Sequence, residues 1–401
     1  MNLYARLLSS VARYDMQGLK SAGFKRKIPQ MIVMFAMAPG ACALQAQTGQ
    51  PWLIGPFMRP ANLQPVIAPR PESTFQDPVL NAPVHWEGLH TFNPAAIARN
   101  GKVYLLYRAE DDSGTMEIGG HTSRLGLAES VDGLHFTRRA EPVFFPAKGS
   151  EESREWPGGV EDPRIVERED GTYVLTYSQW NRETFSAGIA SSNDLVHWTK
   201  HGPAFLAAEG GRFAQLKYKS AAIVTRFDSA KGRLIAAKID DKYWMYWGEG
   251  AIHLATSTDL IQWTPVEDAQ GVPLVLLGPR RGRFDSMFPE AGPPPVLTGA
   301  GIVVIYNGRN ARSDSPKGGG DPDLGPEAYA AGEALFDAKN PAHLLAQTEH
   351  PVLKPEMPYE KTGQYVAGTT FSEGLVRFHD RWFLYYGCGD SLVAVVTSPS
   401  D

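Results

Sequence analysis

Five stretches of this chain repeat one pattern, and that repetition constrains the fold more than any other feature. Each passes from a turn into a short segment rich in aromatic and β-branched residues: Lys102–Arg108, Thr172–Ser178, Lys242–Gly248, Gly301–Asn307 and Arg381–Gly387. With their first residues aligned, an aromatic falls five places on in every copy. These markers are Tyr107, Tyr177, Trp247, Tyr306 and Tyr386, spaced by 70, 70, 59 and 80 residues. A second motif follows the first three markers, at Ala128–Thr137, Ala190–Thr199 and Ala255–Thr264: strand, turn at an Asp, then an aromatic before Thr. That is a hairpin signature, and Val393–Ser398 resembles a truncated fourth copy. Ahead of each marker a short run, often with Pro, leads into an apolar strand, at Asn93, Asp162, Lys219, Glu290 and Glu373.

Each unit therefore reads as a leading strand, a marker strand and a hairpin, which is one blade of a propeller. The expected fold class is all-β, a five-bladed β-propeller; a β-sandwich is the alternative, disfavoured because repeats dominate over Greek-key spacing. Gly 40 and Pro 31, with 15 Tyr and 9 Trp, suit many short strands joined by tight turns. Few residues follow Tyr386, so the segment from about Pro51 to Glu87 should supply the missing strands of the last blade. Closure of this kind removes free edges. Arg309–Gly325, with three consecutive glycines, reads as a long loop over one face.

Before the repeats, Lys25-Arg26-Lys27 precedes an apolar run from Met31 to Leu44, and Ala41-Cys42-Ala43 and Ala46 supply small residues. Basic, apolar, small is the order of a secretory signal peptide. Residues 1–47 are expected to be such a region, with an internal start such as Met16, and residues 48–401 the catalytic propeller. The apolar run holds Pro39 and Gly40 and is short for a membrane span. Pro39 also sits poorly for a lipoprotein signal at Cys42. The mature protein is thus expected to be secreted, periplasmic or extracellular, and not in the membrane. Cleavage after Cys42 would leave Cys388 alone, with no intrachain disulfide. A net charge of −5 gives no reason to expect nucleic acid. No feature specifies an oligomeric state.

The residues opening the leading strands, Asn93, Asp162, Lys219, Glu290 and Glu373, are all polar, and three are carboxylates. In a propeller they would converge on the mouth of the central channel, where general acid–base chemistry needs carboxyl groups with separated pKa values. Arg108, Glu110, Asp111, Glu249, Asn307 and Asp390 follow the marker strands and would reach the same face. Charged groups among aromatics such as Tyr306 suit a sugar, whose ring faces stack while its hydroxyls bind polar partners. Turn-satisfying or solvated loop roles are the plainer explanation for any one of them. HExxH, CxxC pairs and a phosphate-binding glycine loop are absent, so no metal or cofactor is called for.

At these residues the chain resembles glycoside hydrolase family 130, the mannoside phosphorylases and mannosidases. The matches are His90-Thr-Phe-Asn-Pro94, Tyr107–Asp111, Gly159-Val-Glu-Asp-Pro-Arg164, Tyr243–Glu249, Phe284-Asp-Ser286 leading to Glu290–Pro295, and Tyr385–Ser391. They run in family order over roughly residues 50–398. The resemblance implies a five-bladed propeller and a mannose-containing oligosaccharide substrate. It implies that Asp162 is the general acid, acting through a hydroxyl of the bound mannose, and that Asn93, Arg108 and Asp390 hold that mannose. Phosphorylases in the family present cationic residues to phosphate, whereas relatives that hydrolyse carry glutamates there. Glu249 and Glu290, and Phe371-Ser-Glu-Gly-Leu375, place this chain with the hydrolases; Arg280, Arg281 and Arg283 would be the residues to serve phosphate instead. The expected activity is that of an inverting β-mannosidase acting on β-1,2-linked mannosides, with a phosphorylase or a non-catalytic carbohydrate-binding propeller as alternatives.

Overall fold

The computed structural model describes residues 50–400 apart from residue 317; the signal-peptide expectation for residues 1–47 lies outside the described residues. The chain is nearly all-β, its repeats folding into successive antiparallel meanders. In the first, His90–Arg99, Lys102–Glu110, Ser123–Ser130 and Thr137–Arg138 pair in order. Gly159–Glu167, Tyr173–Trp180, Phe185–Ser192 and Thr199–Pro203 form the second. The third runs through Ala221–Ile223, Lys242–Trp247, His253–Ser257 and Thr264–Pro265. In the fourth, Phe288–Ala291 and Val296–Thr298 both pair with Gly301–Arg309, followed by Tyr329–Phe336 and Leu344–Gln347. The fifth has Thr370–Phe378, Arg381–Cys388 and Leu392–Thr397. Along its last strand the Met58 N–H donates to the Thr397 carbonyl at 2.8 Å, and the Val393 N–H to the Ile67 carbonyl at 3.0 Å. One element departs from the repeat pattern. An extra hairpin, Thr225–Asp228 with Arg233–Ala236, follows the third leading strand and pairs in parallel with Val296–Thr298. Among the described residues no helix is long and apolar enough to cross a membrane.

The two repeated motifs have separate physical causes. In the hairpin motif, Ser130, Ser192 and Ser257 each accept through Oγ from the backbone N–H three residues on. Two residues after each serine, Asp132, Asp194 and Asp259 accept two backbone N–H groups apiece through Oδ1. A side chain that satisfies turn amides fixes the reversal locally. The marker aromatics are all buried. Four are tyrosines whose hydroxyls donate to a buried carboxylate: Tyr107 to Glu87 at 2.7 Å, Tyr177 to Glu155 at 2.8 Å, Tyr306 to Asp285 at 2.9 Å and Tyr386 to Glu360 at 2.7 Å. A close neighbour must be glycine: a Cβ on Gly126 would lie 2.3 Å from the Tyr107 ring.

Strands such as Tyr173–Trp180 are buried along their whole length, so they lack the alternation of a half-solvated sheet. The apolar clusters show why. Each is shared by successive meanders: Leu106 and Leu125 with Ile165 and Leu175; Val174 and Ile189 with Met245; Tyr246 and Leu254 with Val304; Ile305 and Leu335 with Leu384 and Val396. A further cluster packs Phe383 and Val395 of the fifth meander on Val103 and Leu105 of the first. Burying each such side chain is worth about 1.5–3 kcal/mol.

Candidate active site

Polar residues reach one site because the leading strands break their regular pleat at it. Register slips at Asn93 between Phe92 and Pro94, at Asp162 between Glu161 and Arg164, and at Glu373 between Ser372 and Gly374. Asn93 and Asp162 adopt left-handed backbone, φ 44° and 47°, as do Ser220 at φ 55° and Asp390 at φ 51°. A bulge re-aims a side chain, and left-handed backbone at a non-glycine residue costs about 1–3 kcal/mol. In the third repeat the residue with this geometry is Ser220, one place after the expected Lys219. Neighbours on a regular strand face opposite ways, but across this bulge Glu161 and Asp162 turn to the same partner. Both contact Arg108.

Arg108 is the hub. Its guanidinium reaches Asp162 at 3.0 Å, Glu161 at 2.8 Å and Glu110 at 2.6 Å, and donates through Nε to Ser123 Oγ at 3.1 Å. Phe92 lies under it, 4.5 Å from ring centroid to guanidinium carbon. The Asn93 amide donates to Asp162 Oδ1 at 2.9 Å, the same oxygen that Arg108 binds. Burial alone would raise the Asp162 carboxyl, but Arg108 first, then Lys219, Arg164 and the Asn93 amide hold it down to about 2. In the free site Asp162 is therefore an anion. Its neighbours go the other way. Burial pushes Glu161 up to about 7 against the pull of Arg108, and pushes Asp390 up to about 7 with Asp162 adding to the effect.

Lys219 centres the opposite cluster, 3.3 Å from Glu249 and 3.5 Å from Glu290. Ser220 Oγ donates to Glu290 Oε1. Isolated backbone pairing joins Glu249 to Glu290. The Glu290 side chain is 1% exposed and that of Glu249 28%, so Glu249 is the member open to solvent. Burial, with Glu249 adding and Lys219 opposing, raises Glu290 to about 7. The Lys219 charge acts on Asp162, Glu161, Glu290 and Asp390 alike, which draws the two clusters into one electrostatic site.

Three residues expected to bind sugar are engaged by the protein's own side chains. Asp111 is fully buried, 2.7 Å from Arg124, which also holds Asp77. Tyr306 is a marker in the core, its hydroxyl bonded to Asp285, Arg280 and Gln347. Glu373 is buried against Arg164 at 3.0 Å, and burial raises its carboxyl well above the usual range. Arg164 itself donates to the Asp162, Ala291 and Gly292 carbonyls, tying the second leading strand to the fourth. Sequence reasoning also passed over Ser220, Ser123 and Gln364, whose amide donates to Glu110 at 2.9 Å and to the Asp390 carbonyl at 3.0 Å. These are ordinary polar residues with no motif to mark them.

His90, Glu110 and His121 bring ligand-type atoms within 4.8 Å of one another, spacing that could hold a divalent ion. The Glu110 oxygens are already shared by Arg108, Ser123 and Gln364, and a guanidinium at 2.6 Å opposes another positive charge there. Of the arginines that would serve phosphate, Arg280 donates to both Asp285 oxygens and to Tyr306, and Arg283 pairs with Glu349 at 3.1 Å. Arg281 lies against Gly318 in the long loop.

An all-β scaffold with buried, charge-separated carboxyl groups, a guanidinium hub and adjacent aromatics is that of a carbohydrate-active enzyme. Residues 63–401 match the model of a glycoside hydrolase family described as β-1,4-mannooligosaccharide phosphorylase, family 130. The chain belongs to glycoside hydrolase family 130, whose members act on mannosides. It is 29% identical over 336 residues to a 1,2-β-oligomannan phosphorylase of Thermoanaerobacter sp. strain X514, covering 83% of this chain and 94% of that protein. Among solved structures it is similar to one reported for glycoside hydrolases of the family that target β-1,2 mannosidic linkages in Candida mannan. That pair shares 47% identity at TM-score 0.84, covering 87% of this chain and 96% of that one. A glycosyl hydrolase from Bacteroides ovatus is 46% identical at TM-score 0.83, covering 87% and 95%.

Proposed function

We propose that this protein is an exported inverting β-mannosidase that releases mannose from β-1,2-linked mannosides, built as a five-bladed propeller with its site at the mouth of the central channel. The observation that carries the hydrolase reading is the pair Glu249–Glu290 at Lys219. Two carboxyl groups share one cation there, and phosphate, a dianion, is repelled by such a pair while water can be activated by it. The engagement of Arg280 and Arg283 with Asp285 and Glu349 supports the same choice. The propeller is supported by five meanders, each packed on the next, and by the cluster shared between the fifth and the first. Export is supported by the basic, apolar, small order of the amino-terminal residues.

In this mechanism Asn93, Arg108 and Asp390 hold the mannose. Both contacts on Asp162 fall on Oδ1. Asp162 becomes the acid when the arriving sugar takes over those two partners: its carboxyl rises, it takes up a proton from solvent, and it passes that proton through a sugar hydroxyl to the glycosidic oxygen. Glu249, the solvent-open member of its pair, removes a proton from the attacking water, and Glu290 and Lys219 set its charge. A mannoside phosphorylase is the second reading, favoured by the name of the Thermoanaerobacter relative. The stereochemical test is proton NMR during the first turnovers on a β-mannoside. Inversion predicts α-mannose as the first product; β-mannose would sink the inverting assignment.

A further inference from the structure

Tyr329 opens the strand Tyr329–Phe336 of the fourth repeat, and strand register carries it to the face of the base pair. It lies directly opposite Arg309, which lies opposite Phe288, and residues opposite one another share a face of the sheet. Glu290 stands two places after Phe288, so it is on that face too. Aromatic neighbours fix the ring: Phe288 at 6.0 Å, Tyr365 at 5.4 Å and Phe371 at 5.7 Å between centroids, each edge-on. The Arg309 guanidinium carbon lies 5.7 Å from its centre. The four marker tyrosines commit their hydroxyls to buried carboxylates. The Tyr329 hydroxyl meets no hydrogen-bond partner among the described residues, and the residue is half-buried, within reach of solvent. Its charged surroundings are the Glu249–Glu290 pair. After burial, Glu290 and then Glu249 push its phenol well above the usual range, with Arg309 opposing. Charge effects of this kind fall off with distance, so the phenol borders both carboxyl groups, and it stays protonated, a hydrogen-bond donor. Its ring neighbour Tyr365 feels the charge of Asp390, so Tyr329 stands where the base pair meets the mannose.

We propose that Tyr329 is a further catalytic residue, whose hydroxyl donates to one lone pair of the attacking water while Glu249 accepts that water's proton. The other lone pair forms the bond to the anomeric carbon; the glycosidic bond breaks, and its oxygen leaves with the proton delivered from Asp162. Tyr329 keeps its own proton throughout, and its part is to orient the water. This rests on the inverting-mannosidase reading above and deepens it.

The test is kcat, KM and the pH profile of kcat/KM on β-1,2-mannobiose for the wild type and Tyr329→Phe, with the thermal midpoint of each. The variant keeps the ring against Phe288, Tyr365 and Phe371 and removes only the hydroxyl. Its kcat should fall by about 10- to 100-fold, with KM within about twofold of the wild type. The acid limb of the profile and the thermal midpoint should stay where they are in the wild type. Wild-type kcat in Tyr329→Phe would overturn the proposal. So would an acid limb that moves up, since the hydroxyl would then bind the carboxylate pair instead of the water. A loss of kcat matched by a lower midpoint would mark a structural role and overturn it as well. Each of these outcomes leaves the hydrolase reading standing. Cleavage by the wild type only in the presence of phosphate would overturn that reading, and the orientation of water with it.

Discussion

Asp162 and Lys219 govern the charge state of the whole site, and both can be tested singly. Asp162 was legible from its motif and from its place at the head of a leading strand. Its ionised state was not, because that depends on Arg108 and Asn93, which lie 54 and 69 residues away in the chain. If it is the proton donor, Asp162→Asn should lower turnover by on the order of 10²-fold or more with KM little changed; near-normal turnover would move the acid to Glu161. Lys219 opposes the upward shift of Glu290, whose carboxyl sits at about 7. In the proposed mechanism the Glu249–Glu290 pair works in its ionised form, so kcat/KM should rise as pH increases through about 7. Removing the cation in Lys219→Met takes away the largest effect opposing burial and Glu249, leaving the Ser220 hydrogen bond and the Arg164 charge, and raises the Glu290 carboxyl further. The acid limb of the kcat/KM profile should then move up by about 1–3 pH units. An unmoved limb would show that this pair does not limit the reaction.

At the level of the strand, the repeat was plain in the sequence but the place of one marker was not. Tyr306, expected at the sugar, is one of four marker tyrosines whose hydroxyls donate to a buried carboxylate. The carboxylate partners, Glu87, Glu155, Asp285 and Glu360, stand 20, 22, 21 and 26 residues before their tyrosines, a recurring interval that was in the sequence and went unused. The bulges at Asn93, Asp162 and Glu373 were hidden: a register slip needs the partner strand to be known. Tyr306→Phe separates the two roles. It leaves Asp285, Arg280 and Gln347 without their shared hydroxyl and should lower stability by roughly 1–3 kcal/mol, read as a shift in denaturant midpoint. KM for a mannoside should stay at the wild-type value. A large rise in KM with unchanged stability would restore Tyr306 to the substrate site.

For the molecule as a whole, the number of repeats and their antiparallel character were legible because each unit carries its own turn and strand chemistry. The extra hairpin at Thr225–Ala236 was not, since it occurs once and repetition cannot announce it. The family was legible because Gly159–Arg164 and its companion motifs keep both order and residue type along the chain. What motif order leaves open is the nucleophile; the proposal of water rests on Glu249 and Glu290 sharing Lys219, while Arg280 and Arg283 are drawn to other carboxylates. The most direct test is to incubate the protein with β-1,2-mannobiose in buffer freed of phosphate, and again with phosphate added, identifying the sugar products each time. The account predicts the same rate in both and free mannose as the only product. Cleavage that requires phosphate and yields mannose 1-phosphate would contradict it.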